Sequence, residues 1–311
     1  VNLSWQLIDR FLKEGDDMRS STMRSPPIWK TVEFLNDYML SGWNGNFRNR
    51  HKHSHEVISC QAMLQKVLEY HSEFGVPVNE TTFDIIANSN SMVHLLSGDD
   101  SPEFAEEVLK CYLDLCSKET DLSASPQLFN RAMIMWETSE RDERLPRIIA
   151  LYDQMKSMGI SPNLTTYTSV VKAYRDAGGA ENAQKAHDVI MELRKKGLFP
   201  SYTALSSALT VWASSGLTDI MDRTDELVEV LRKDLLEGKG SKQNIGMPLA
   251  AALACYAACK SPAATNKMQE LYDDLSKIEP PPFNAFNTLT QAWARLGNVQ
   301  RVDSIIADMK K

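Results

Sequence analysis

A short signature that ends one helix and begins the next recurs along this chain, and nothing else in the sequence constrains the fold so tightly. It reads Gly159-Ile160-Ser161-Pro162-Asn163 and then Leu164-Thr165-Thr166-Tyr167-Thr168, with weaker copies at Gly197-Leu198-Phe199-Pro200-Ser201 before Tyr202 and at Gly75-Val76-Pro77-Val78-Asn79 before Glu80. Glycine closes a helix, proline cannot continue one, and a short polar side chain caps the helix that follows. Recurrence at a fixed period makes the unit of structure a repeat.

Residues outside the signature keep the same period. A large aromatic stands in the middle of each first helix at Trp136, Tyr174, Trp212, Tyr256 and Trp293, at steps of 38, 38, 44 and 37 residues. The second helices agree independently: Met155, Leu193, Leu231, Leu275 and Met309 step by 38, 38, 44 and 34, with Tyr152, Ile190, Val228, Tyr272 and Ile306 three residues earlier. Apolar positions recur at spacings of three and four and strand signals are nearly absent, so the expected fold is all-α. A single helical hairpin cannot bury both faces, so neighbours cover each other, and the array is expected to be a right-handed α/α superhelical solenoid of helix-turn-helix repeats.

The pattern divides the chain into a truncated repeat over 1–20, an irregular repeat over 28–79 and a degenerate one over 80–125. Repeats over 126–163, 164–201, 202–243 and 244–282 follow, then an incomplete one over 283–311, all forming one solenoid domain. Within 80–125, Ser101 is expected to cap a helix that opens on Pro102. The start at Val1 and the end inside a helical pattern at Lys311 suggest a fragment, so a missing targeting peptide is uninformative.

Composition then excludes several classes. The longest apolar stretch, 249–258, is about half the roughly 20 residues a membrane span needs, and reads as a buried helix. Five cysteines are an odd number, and Cys111/Cys116 and Cys255/Cys259 fall inside single helices, which suits reduced core thiols of an intracellular or organellar protein. Of three Asn-x-Ser/Thr tripeptides, two sit on interhelix turns where Asn is favoured for its own sake.

Three features resemble one family. The turn signature, its Tyr or Phe five residues after the proline (Pro162 to Tyr167, Pro281 to Phe286) and the closing unit Asn284-Ala285-Phe286-Asn287-Thr288-Leu289-Thr290 look like pentatricopeptide repeats. Tetratricopeptide repeats have a similar hairpin and period but lack this ending. The resemblance is strong over 126–201 and 283–311, fair over 202–282 and weak before 126. It implies a sequence-selective binder of single-stranded RNA in a mitochondrion or plastid, acting in RNA processing, stability or translation. It also implies that each unit addresses one base through the fifth residue of its first helix and its own last residue. Short polar side chains there suit edge reading of unstacked bases. The pairs fall at Asp84 with Ser125, Asn130 with Asn163, Thr168 with Ser201, Ser206 with about Gln243, and Asn287 with a partner beyond the chain. Asn130 with Asn163 resembles a common family pair and leans toward a pyrimidine. In the unit from 244, Pro248 lies near the fifth position and the register is ambiguous.

A net charge of −7 and a pI near 5.5 oppose phosphate binding as a whole-chain property. Distribution matters more than the sum: the first helices carry Arg131, Lys172, Arg175, Lys260 and Arg295 against Glu137 and Asp176, while the second helices are acidic. Arg131, Lys172, Arg175 and Arg295 are therefore phosphate-contact candidates, together with Arg48, Arg50 and Lys52 of the loop 48–55. That loop also holds His51, His53 and His55, which lack the fixed geometry of a metal site and read chiefly as solvated. His71-Ser72-Glu73 matches half of a zinc-deaminase signature with no Pro-Cys-x-x-Cys after it, and no phosphate loop or carboxylate cluster is present. No catalytic residue, cofactor or metal is expected, and the chain reads as a binding module rather than an enzyme. The second reading is a protein-binding helical-repeat scaffold within an organellar ribonucleoprotein or other complex. Salt separates the two readings, because an RNA binder weakens steeply as counterions compete.

Overall fold

The computed structural model describes residues 60–97, 102–139, 141–236, 246–275 and 283–309. The truncated repeat at 1–20, the loop with Arg48, Arg50 and Lys52, and Ser101 and Gln243 lie outside the described residues. Among the described residues there are thirteen helices and no strand: α1 (Cys60–Phe74), α2 (Glu80–Ser97), α3 (Pro102–Lys118), α4 (Pro126–Thr138), α5 (Arg144–Ser157), α6 (Leu164–Ala177), α7 (Ala180–Lys195), α8 (Tyr202–Ser214), α9 (Met221–Leu236), α10 (Gly246–Ala258), α11 (Pro262–Leu275), α12 (Phe283–Arg295) and α13 (Val299–Met309). They fall into two compact units, one of the described residues up to 139 with 154–161, the other of 141–153 with those from 162 onward.

The recurring signature builds each joint from local chemistry. Gly159 and Gly197 take left-handed φ of 73° and 74°, which a Cβ disfavours. The next residues bond back across the closing turn, Ile160 N–H to the Met155 carbonyl at 3.1 Å and Leu198 N–H to that of Leu193 at 3.2 Å, the pairing of a Schellman ending. After the buried Pro162, Asn163 caps α6: its Oδ1 accepts from Thr166 N–H at 3.1 Å, and the Thr166 hydroxyl accepts from Asn163 N–H at 3.2 Å. Asn79 and Thr82 repeat this exchange at the start of α2, with 3.0 Å and 3.3 Å. One reciprocal cap satisfies two of the amide groups a helix start leaves orphaned.

In the second unit the first helices α6, α8, α10 and α12 pack on one another in sequence, and each packs on the second helix of its own hairpin. A helix so surrounded must be apolar on most of its surface, which explains why α8 buries Tyr202, Ala204, Leu205, Ala208, Leu209, Val211 and Trp212. Full burial of a leucine such as Leu205 contributes about 1.5–3 kcal/mol. The apolar stretch in α10 follows the same logic, with Leu249, Ala251, Ala252, Leu253, Cys255 and Tyr256 buried. In the first unit, α2 packs against α3 and α4, and Phe83 meets Tyr112 with ring centroids 5.1 Å apart.

Three of the five periodic aromatics form a latch between consecutive hairpins. Tyr256 donates its hydroxyl to Asp225 at 2.7 Å, and Trp293 donates its indole N–H to Gln269 at 2.9 Å. In the first unit, Trp136 does the same to Glu106 at 2.5 Å. Asp225 and Gln269 stand three residues before Val228 and Tyr272, the same register in both second helices, and His187 holds that register before Ile190. His187 faces Trp212 edge-on at 6.3 Å. Here the latch is not made: among the described residues neither Trp212 Nε1 nor either ring nitrogen of His187 has a hydrogen-bond partner. His187 Nε2 lies 2.8 Å from Glu226 Oε2, but not in hydrogen-bonding geometry.

Some expected core positions differ. Tyr174 is half-buried, and Ile306 in the final hairpin is exposed. Cys111 and Cys116 are half-buried because they lie off the main apolar face of α3, whereas Cys255 and Cys259 are buried, Cys259 just past the end of α10. All four are free thiols, and burial pushes Cys255 up to about 12, which makes it an inert thiol that donates to the Leu209 carbonyl at 2.8 Å.

Candidate functional site

In the second unit, Thr168 and Ser201 meet. Thr168 is the fifth residue of α6 and Ser201 caps α8, and packing of these first helices brings their hydroxyl oxygens to 2.9 Å. The proton directions follow from the neighbours. Thr168 spends its only proton on the Leu164 carbonyl at 2.7 Å, so Ser201 must be the donor in the pair, and Ser201 Oγ accepts from Ala204 N–H at 3.1 Å. Both hydroxyl protons are therefore committed internally. What the pair offers a ligand is lone pairs, suited to an amino or imino edge.

The other positions are placed differently. Asn163 is exposed, with Oδ1 engaged in its capping box. Ser206 is half-buried on α8, and Asn287 is exposed on α12. In the first unit, Asn130 is 6% exposed and presents little of its amide to solvent. Asp84 is held by Arg131 through two bonds, Nε to Oδ1 at 2.9 Å and a second terminal nitrogen to Oδ2 at 3.3 Å. A forked pair of this kind fixes both side chains, so Asp84 and Arg131 are brought together as a tie between α2 and α4. Ser125 caps α4 by accepting from Gln127 N–H at 3.2 Å. Glu80 joins that cap, its Oε1 taking the amides of Ser125 and Leu128 at 3.3 Å and 3.5 Å, a carboxylate where the helix dipole favours one.

Among the cationic candidates, Lys172 is half-buried on α6, and burial, then the neighbouring Arg175, pull its ammonium below the ordinary lysine range against Asp176. Arg175 pairs with Asp176 at 2.6 Å and reaches across to α8, donating to the Ser207 hydroxyl at 3.1 Å. Arg144, which no sequence signal singled out, approaches the same Asp176 at 3.8 Å from α5. Two arginines thus pair with one carboxylate, whose charge also acts on Lys172. Arg295 is exposed at the end of α12.

Among the described residues, no group of three or more His, Cys, Asp or Glu side chains is placed to hold a metal, and no helix is long and apolar enough to cross a membrane. His71, part of the half-signature of a deaminase, bonds the Val76 carbonyl at 2.8 Å and Glu119 at 2.6 Å, tying down the turn after α1.

Residues 150–212, which contain the complete joint 159–168 and the Thr168–Ser201 contact, match the family described as Pentatricopeptide repeat domain. Residues 150–212 thus carry the pentatricopeptide repeat pattern. The chain is 27% identical over 148 residues to the small ribosomal subunit protein mS39 of Danio rerio, a match covering 47% of this chain and 22% of that protein, so it spans about a fifth of the relative's length. Among solved structures, the pentatricopeptide repeat protein PPR10 from maize superposes with a TM-score of 0.54 at 19% identity, over 99% of this chain and 42% of that one. PPR10 in complex with an 18-nt psaJ RNA element gives 0.50 at 16% identity, over 93% and 41%. The likeness shows the fold, a solenoid of helical repeats.

Proposed function

We propose that this chain is built of pentatricopeptide repeats beyond the matched 150–212 and binds single-stranded RNA with sequence selectivity, as a clamp without chemistry of its own, in the RNA metabolism of a mitochondrion or plastid. The observation that carries the reading is the Thr168–Ser201 pair: the two positions the repeat resemblance assigns to base reading touch at 2.9 Å, with their lone pairs left for a base edge. Lys172 and Arg175 of α6, with Arg144 of α5, are the cations proposed to attract phosphate, and Arg295 on α12 is a further one. The RNA-bound state of PPR10 supports the reading by fold likeness. The proposed repeats are a truncated one over 1–20, then 28–79, 80–125, 126–163, 164–201, 202–243, 244–282 and an incomplete one over 283–311. Asn163, Ser206 and Asn287 complete the proposed track within the second unit.

A second reading is favoured by one observation, the similarity to a ribosomal subunit protein: a protein-binding helical-repeat scaffold within a ribonucleoprotein or other complex. Selection of a randomised single-stranded RNA pool at low and high salt tests the first reading. Thr168→Val removes the hydroxyl without touching the cap at Ser201, and should erase preference at one position while the rest of the motif survives. Binding that is absent even at low salt would leave the scaffold reading standing and remove this one.

A further inference from the structure

The turns that join first to second helices in the second unit share one register. Four residues after the mid-helix aromatics Tyr174, Trp212 and Trp293 stand Gly178, Gly216 and Gly297, whose φ of 67°, 79° and 72° is left-handed. Four residues after Tyr256 stands Lys260 instead, with a φ of 51°, and it is the one non-glycine residue in that conformation among the described residues. A Cβ crowds the backbone there, so lysine carries a strain that glycine avoids.

No side-chain contact offsets that strain. Lys260 is exposed, and among the described residues its ammonium makes no hydrogen bond, ion pair or ring contact. At the three glycines of the same register a Cβ would meet no atom within 4 Å, so a side chain at this place in the turn projects away from the surface. What is left within the chain is the attraction of a cation for the C-terminal end of a helix, which solvent and salt weaken at an exposed site. A strained residue whose side chain packs against nothing points to a ligand outside the chain.

The place of Lys260 among the first helices gives the class of that ligand. Helices α6, α8, α10 and α12 pack on one another in sequence, and a second helix returns the chain between each two, so they run the same way and their C-terminal ends line one edge. The bond from Cys255 to the Leu209 carbonyl agrees with this alignment, since the two residues stand one and three positions before the aromatics of α10 and α8. Along that edge Arg175 and Arg295 follow their aromatics by one and two residues. In the α10 hairpin no residue of Gly246–Ala258 is charged, and Lys267 is tied to Asp225. We propose that Lys260 is a phosphate contact of the RNA track, supplying the α10 hairpin with a cation between those of α6 and α12. Its flexible stem on a fixed turn presents the ammonium as a point charge to the strand backbone and reads no base. This rests on the RNA reading above.

The full chain is titrated with a randomised single-stranded RNA pool over a range of salt, beside Lys260→Gly, Lys260→Gln and the control Lys233→Gln, an exposed lysine of the second helix α9. Loss of one phosphate contact should weaken binding about fivefold at about 0.1 M salt and make the slope of log affinity against log salt shallower by about 0.7. Both Lys260 variants should show that loss with the selected base motif unchanged, and Lys233→Gln should not. The thermal midpoint should rise in Lys260→Gly, where the left-handed turn is relieved, and not in Lys260→Gln, which keeps its Cβ. The inference is overturned if Lys260→Gly binds with the affinity and salt slope of the wild type, or if Lys233→Gln loses as much as Lys260→Gln. A lower midpoint for Lys260→Gly also overturns it, because Lys260 would then be serving stability. A wild-type chain that binds no RNA even at low salt removes the RNA reading itself, an outcome told apart from the others without any variant.

Discussion

The junction between α7 and α8 and the junction between α9 and α10 are built to one register and differ in a single chemical respect. At the second, the aromatic of the following helix finds an acceptor, because Tyr256 donates to Asp225, which also pairs with Lys267. At the first, the same register holds His187, and Trp212 Nε1 stays without a hydrogen-bond partner although Trp212 is 4% exposed. The polar latch is thus not what holds consecutive hairpins together. Apolar burial suffices, and the latch adds stability where its chemistry allows. A buried donor without a partner costs about 1–3 kcal/mol, so the α7–α8 junction retains an uncollected stabilisation of that order.

The largest expected effect breaks the made latch. Asp225→Ala leaves the buried Tyr256 hydroxyl unpaired and releases Lys267, and should lower the unfolding free energy by about 1–3 kcal/mol in denaturant titrations. A smaller loss of about 1 kcal/mol is expected for Tyr256→Phe, since the hydroxyl leaves with its desolvation cost and Asp225 keeps its lysine. If the two substitutions cost the same, the latch is a weaker element than its geometry indicates. The mildest change sharpens the comparison from the other side: His187→Gln supplies the acceptor that Gln269 provides to Trp293, and should stabilise by about 0.5–1.5 kcal/mol.

That substitution should also alter the pH response. Burial holds the His187 imidazole below its ordinary value, opposed by Glu226 and assisted by Arg223, with Asp188 opposing weakly; α8, packed against it, carries no charge. As pH falls through about 6.5, the unfolded chain takes up the proton before the folded chain does, so stability falls with acidification over that range. Unfolding midpoints measured at pH 7.5 and 5.5 should separate by less in His187→Gln than in the wild type. An equal separation would assign the acid sensitivity to other groups.

The joints were legible in the sequence because their chemistry is local. Glycine at the left-handed position, the bond back across the turn and the Asn163 or Ser201 cap all act within about six residues, so the helix starts at 164 and 202 could be read directly. The aromatic register was equally visible, since it follows from helical period alone. What was not legible were side-chain ties spanning 30 residues or more, such as Asp84 to Arg131, Arg175 to Ser207 and Glu80 to the α4 amides. Each depends on which faces meet after packing, and each reassigns a residue that composition alone would have left to solvent or ligand. Arg131 is the clearest instance: a cation on a first helix reads as a phosphate contact until its carboxylate neighbour is known. The start of α10 was hidden for another reason. The sequence before Gly246 lacks the glycine-to-proline spacing of the other joints, so the start of α10 had to come from the structure.

The Schellman closure and reciprocal cap at the joints have a consequence for how the chain reaches its fold. Each joint closes its bonds over four to six residues, and in the second unit each first helix then rests on the next one along. Contacts of such short sequence separation keep the entropy of loop closure small, which favours rapid assembly that starts at any one hairpin and spreads to its neighbours. Damage should be correspondingly regional. A substitution that breaks one joint, such as replacement of Gly159 by a residue that resists a φ of 73°, should expose nearby amides to hydrogen exchange while distant hairpins keep their protection.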